Sequence, residues 1–188
     1  MTTLTPPLVP TPMLWTLDQY HQLIDSGLLA GRRVQLIEGQ LIEMPPMNTP
    51  HIGAMTYLYR ALDRSPIGDR AFSQTPIMID PKFGPPSEPE PDVFVSEPGA
   101  LLKPRVDQVE LIIEVSDRTV EDDRQHKVGH YLTAGAKEVW LVDLVAEEIT
   151  IWRNGKQSVY RGGARIAPLL EPKVTIDVAA VFEAARQP

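Results

Sequence analysis

The stretch LIIEV, Leu111 to Val115, and the stretch VWLV, Val139 to Val142, are apolar at nearly every position. A strand apolar on both faces must be covered on both, which predicts a central sheet sandwiched by helices. Between the two runs lies a segment with helical signals. Thr119 can cap it, Asp122 stands at the third helical position as a variant capping box, and Gly135 supplies a left-handed stop. Strand, helix and strand in that order predict a parallel crossover unit. The remaining strands come without intervening helices and predict antiparallel hairpins. The expected class is α/β (α+β), a mixed sheet flanked by helices.

The rest of the chain is read around that centre. Residues 1–12, rich in Thr and Pro, are expected to form a flexible arm, and 13–188 a single domain. Thr16 is expected to cap a helix over Leu17–Leu29 that Gly31 closes. VQLIEGQLIEM has two apolar runs about Glu38-Gly39, a hairpin signal. Ile52, Met55, Tyr59 and Leu62 have helical spacing, and AFSQTPIMI reads as a strand. DPKFGPPSEPEP is a Pro-dense surface loop. After it come DVFV, then ITIWR and KQSVY across Asn154-Gly155, and a last strand and helix in VTIDVAAVFEAA.

Charge and composition narrow the function. The formal net charge is −7 and the 18 basic residues are scattered, which argues against a non-specific nucleic-acid coat but leaves room for a local basic groove. There is no cysteine, so no disulfide framework and no thiolate chemistry. No signal peptide and no apolar run long enough to span a membrane is visible, so the cytoplasm is the expected compartment.

Glu114 continues a buried strand without a break, and a carboxylate there must find a partner. Asp92 opens the DVFV strand and shares a face with Phe94 and Ser96, while Glu114 shares one with Ile112 and Ser116. If the strands are neighbours, both acids reach one side of the sheet near its end. Two such carboxylates repel, and one holds a proton unless a cation sits between them. A hard divalent ion, Mg2+ or Mn2+, suits oxygen ligands, with the Val115 carbonyl as a possible third. Lys127 lies at the edge of the buried face of the following helix, within reach of the pair. Metal, water and ammonium together suit phosphodiester hydrolysis.

Singly, each residue has a structural account. Asp92 could hold turn amides, Glu114 could be a paired strand-end acid, and Lys127 could pair with Asp123. His126 and His130 are one helical turn apart, but no third zinc ligand is obvious, so they are read as solvent-side. Tyr131 is expected in the core with its hydroxyl at the cleft. His51 opens a helix beside the hairpin, where a local polar contact is expected and cleft lining is the alternative.

Pro91-Asp92, Glu114 to Ser116, Lys127 with Tyr131, and AGAKEVWLVD taken in order resemble the Uma family of putative restriction endonucleases, in the PD-(D/E)XK nuclease superfamily. The resemblance spans roughly Leu36 to Arg153. It implies a restriction-endonuclease-like fold, a Mg2+-dependent site of Asp92, Glu114 and Lys127, and DNA as substrate. By the same analogy, and because duplex cleavage needs two sites, a homodimer is plausible. The family's lysine comes from the helix, as Lys127 does, and Ser116 stands at the strand position used more widely in the superfamily. Gln35 stands where the family has an acid. It brings no charge and binds a cation weakly, and Glu38 in the turn is a poor replacement. Two other readings stand beside a DNA endonuclease. One is a non-catalytic nuclease-fold binding protein, and the other a metal-dependent hydrolase of a small phosphoester.

Overall fold

The strand Val109–Ser116 is buried along almost its whole length, and it lies in the interior of a six-stranded sheet. The computed structural model describes residues 11–100, 102–117 and 121–187, with the backbone alone for 121–126. In chain order the elements are α1 (Leu17–Asp25), β1 (Val34–Ile37), β2 (Gln40–Glu43), α2 (Thr49–Asp63), β3 (Ala71–Ser73), β4 (Val93–Ser96), β5 (Val109–Ser116), α3 (Glu121–Thr133), β6 (Glu138–Asp143), β7 (Glu148–Arg153), β8 (Lys156–Arg161), β9 (Arg165–Ile166), β10 (Ile176–Asp177) and α4 (Val178–Arg186). The main sheet has the order β3-β4-β5-β6-β7-β8. Its β5 and β6 run parallel, with Ile112 opposite Val139 and Ser116 opposite Asp143. A parallel pair needs a crossover, and α3 supplies it. The other neighbours are antiparallel. The mixed α+β class expected from the sequence is the one observed.

Alternation along the strands divides the core into two layers. On one face Val93, Val95, Ile113 and Trp140 pack with Leu58 and Leu62 of α2 and Val181 and Phe182 of α4. On the other, Phe94, Ile112 and Val139 pack with Val128 and Tyr131 of α3 and with Ala134 just after it. Each fully buried large side chain is worth about 1.5–3 kcal/mol relative to exposure. The helices α2 and α4 come close enough that a Cβ at Gly53 would collide with the Ala184 carbonyl, so glycine there permits the approach.

Local signals set several boundaries. Thr16 caps α1 in a full capping box with Gln19. The helix stops at Asp25, not near Leu29, because Gly27 turns left-handed at φ 78°. Glu38 and Gly39 both adopt positive φ, as do Asn154 and Gly155, the geometry of tight hairpin turns. Gly135 ends α3 at φ 96°. The buried face of α2 is Ala54, Leu58 and Leu62, whereas Ile52 is exposed, so the apolar stripe is rotated from the expected one. The expected strand Ala71–Ile79 is cut to three residues because Gln74 is left-handed at φ 50°. The expected last strand is β10, and its partner β9 was not anticipated. The expected flexible arm lies largely outside the described residues. So do the Thr119 cap and the side chains of Asp122, Asp123 and His126.

Candidate active site

The register of β4 on β5 sets Val93 against Ile113 and Phe94 against Ile112. One step further, Asp92 and Glu114 fall opposite each other on the face covered by α3. Both are buried, at 5% and 8% exposure. Burying two acids needs hydrogen-bond donors, and the elements around them supply these. Asp92 Oδ2 accepts the Val115 backbone N–H at 2.8 Å. Asp92 Oδ1 is held by His51 Nε2 at 2.9 Å and by Gln74 Nε2 at 2.8 Å. The Tyr131 hydroxyl donates to Glu114 Oε1 at 2.7 Å.

Charge divides the two acids. Burial pushes the Glu114 carboxyl above the ordinary carboxylate range; the Lys127 charge opposes this and the Asp92 charge adds to it. Burial also drives the Tyr131 hydroxyl well up, with the Glu114 charge second, so Tyr131 is a fixed donor at neutral pH. Lys127 stands one helical turn before Tyr131, half-buried, at the wall of the cleft.

The cleft has a volume of about 480 Å³. The β1–β2 hairpin forms one side and the β4–β5–α3 junction the other, so Gln35, Glu90, Asp92, Glu114 and Lys127 border one space. A second pocket of about 540 Å³ lies by α2 and α4, beside Thr49, Phe182 and Arg186, and holds none of these residues.

Two carboxylates at a strand end, with a backbone carbonyl close by, form a hard oxygen donor set. The Ser116 carbonyl is taken by the Leu144 N–H on the β6 side. Strand alternation therefore turns the Val115 carbonyl to the β4 side, where its N–H already meets Asp92. Among the described residues no group of three or more His, Asp and Glu converges as a ready-made ligand set. Mg2+ keeps several waters and uses one or two protein carboxylates, the number that Asp92 and Glu114 offer at this cleft. The residues present fit such an ion.

The structure thus brings together Asp92, Glu114, Val115, Lys127, Gln35, His51 and Tyr131. The Tyr131 ring is in the core and its hydroxyl is on Glu114, as expected. His51 does more than the expected local contact. Its backbone N–H is capped by Asn48 at 3.0 Å, but its ring reaches Asp92. His130 is not on the solvent side: its side chain is 15% exposed, 3.6 Å from Glu38 at the cleft. Two residues went unread in the sequence. Gln74 was hidden inside an apparent strand, and its left-handed backbone had no sequence signal. Glu90 was hidden in the Pro-dense loop, where its spacing of two from Asp92 was the available clue.

Comparison with known proteins agrees with this architecture. A solved structure described as a "putative nuclease belonging to DUF820" from Anabaena variabilis shares the fold with a TM-score of 0.71. The two are 18% identical over 93% of this chain and 99% of that one, so the likeness concerns the fold. Among curated proteins there is no match. The model of the Uma2 family, described as "Putative restriction endonuclease", matches residues 17–179, from the first helix to the start of the last. On that match, the chain belongs to the Uma2 family.

Proposed function

We propose that the protein is a Mg2+- or Mn2+-dependent endonuclease that hydrolyses DNA phosphodiester bonds at the Asp92–Glu114 cleft. The observation that carries this reading is the buried pair of acids on one sheet face with Lys127 beside it. Family membership supports DNA as the substrate. Asp92, Glu114 and the Val115 carbonyl would hold the cation. When bound, such an ion lowers the pKa of water and offsets phosphate charge.

The chain's own residues prepare for that role. His51, Gln74 and the Val115 N–H fix both oxygens of Asp92, which keeps the carboxylate oriented. Tyr131 fixes one oxygen of Glu114. Lys127 carries a charge of the same sign as the ion, so it serves the phosphate: its ammonium stabilises the negative charge that builds on the phosphoryl oxygens.

The acidic lining favours a second reading, hydrolysis of a small phosphoester, since Glu38, Glu43 and Glu90 border the same cleft. Salt separates the two. A DNA enzyme loses affinity steeply as salt rises, through counterion release, and a small-substrate enzyme does not. The primary test is cleavage of mixed DNA and RNA substrates by wild type and Glu114→Ala, with Mg2+, with Mn2+ and with chelator. Metal-dependent DNA cleavage lost in Glu114→Ala is the expected result. Binding of DNA without cleavage under every metal condition would leave a non-catalytic nuclease scaffold instead.

A further inference from the structure

Strand alternation gives the β1–β2 hairpin two faces. Leu36 and Leu41 pair on the face toward the body, where Leu36 is fully buried. Gln35 and Ile42 pair on the other face, with Ile37 beyond them toward the turn. Met44 extends that face, because its N–H continues the ladder to the Arg33 carbonyl at 2.7 Å. All four border the cleft. Ile42 is 39% exposed, and among the described residues Ile37, Ile42 and Met44 join neither core layer. Apolar side chains gathered on one cleft wall, rather than scattered singly, mark a contact surface. The wall is fixed in place. The Gly39 N–H donates to the Pro86 carbonyl at 2.8 Å, and the Glu88 N–H to the Leu36 carbonyl at 2.7 Å.

Gln35 adds a second observation. It is 1% exposed, and its Oε1 is a buried acceptor with no hydrogen-bond partner, an atom that calls for a donor. Its Nε2 lies 3.5 Å from Glu90 Oε2, a long contact that leaves the amide free to turn its oxygen toward an incoming N–H. Lys127 and the Asp92–Glu114 pair stand across the same cleft. One side of the space therefore suits a phosphate, and the other an apolar surface with an N–H at its edge. A nucleotide has both parts. In an intact duplex the base faces are stacked and the pairing-edge donors are used, so only an unpaired base can offer them. Charge points the same way. Glu38, Glu43, Glu90 and Asp117 border the cleft beside Arg33 and Lys127. A duplex brings one phosphate charge per about 1.7 Å and a single strand half that density, so a single strand meets less repulsion here.

We propose that the Ile37–Ile42–Met44 face is a subsite for an unpaired nucleobase of the DNA strand being cut, with Gln35 Oε1 accepting an N–H from the base edge. The substrate class is then single-stranded DNA, or a nucleotide left unpaired within a duplex. The proposal rests on the reading of the cleft as a DNA phosphodiesterase site.

The test compares three oligonucleotides of one sequence: a single strand, a duplex with one unpaired nucleotide, and the perfect duplex. Binding is followed by fluorescence anisotropy with Ca2+ and with chelator, cleavage by single turnover with Mn2+, and folding by circular dichroism. Wild type should bind and cut the single strand about tenfold or more better than the perfect duplex. The duplex with an unpaired nucleotide shows whether the subsite also takes a base from within a duplex. Ile42→Ser, at an exposed position, should fold normally and reduce the preference about tenfold, the factor for losing one apolar contact of this size. Gln35→Leu should reduce it as well, and Ile42→Phe should raise it by adding a stacking surface. Mn2+ affinity should stay within about twofold in both Ile42 variants. Equal binding and cleavage of all three DNAs by wild type would overturn the subsite and leave the endonuclease reading standing. So would a preference that Ile42→Ser and Gln35→Leu both leave intact. Neither binding nor cleavage of any of the three would overturn both.

Discussion

Asp92 Oδ2 accepts the backbone N–H of Val115 at 2.8 Å, so the acid that opens β4 is tied to the residue immediately after Glu114. The two acids of the cleft are therefore not equivalent. Asp92 is held by three donors, while burial pushes Glu114 toward its protonated form.

Asp92→Asn should lower stability, contrary to what repulsion between two acids alone would suggest. The amide cannot accept all three hydrogen bonds, and the loss should be about 1–2 kcal/mol. For a chain of this size each kcal/mol is roughly 2–4 °C in Tm. Thermal melts in chelator at pH 7.5 check this, and a variant that melts above wild type would mean that repulsion dominates.

Glu114→Gln should do the reverse. The raised carboxyl means that the native state holds its proton to a higher pH than the unfolded chain. The group's contribution is complete below the unfolded value of about 4.3 and is lost as pH rises through the folded one. Gln keeps the acceptor for Tyr131 and removes the charge. In chelator the variant should melt higher than wild type at pH 7.5, with the gap closing toward pH 4. A gap that is the same at both pH values would detach it from the ionisation of Glu114.

Lys127→Met should leave Mn2+ affinity unchanged or slightly raised, since it removes a like charge from the cleft. Cleavage should fall about 10²–10³-fold, the usual loss for one electrostatic stabiliser. Parallel calorimetry and single-turnover assays decide it. Wild-type turnover in this variant would make Lys127 a surface charge.

His51→Ala should weaken Mn2+ binding about tenfold, because it removes one of the two donors that hold Asp92 Oδ1. His51→Gln, which can still donate, should recover part of the loss. Titrations of the two variants against wild type measure this, and equal affinity in all three would confine His51 to its helix start.

Much of this molecule was written locally. Two strands apolar on both faces, with a helical segment between them, required a parallel pair covered on both sides. Glu38-Gly39 and Asn154-Gly155 signalled tight turns, because Gly accepts positive φ freely and Asn more readily than most residues, while Glu38 takes up positive φ beside its glycine. The order Asp92, Glu114, Lys127 was legible because strand and helix periods fix the face on which each side chain lies. Tertiary structure decided what periodicity cannot carry. The pairing of β4 with β5 chose which acids meet. The left-handed Gln74 broke an apparent strand where its amide reaches Asp92. His51 found a partner 41 positions away. Gln35 and Glu90, 55 positions apart, were brought to one cleft by the hairpin's position against the loop before β4. Such contacts depend on which distant segments the packed sheet brings together, and local spacing has no means of encoding them.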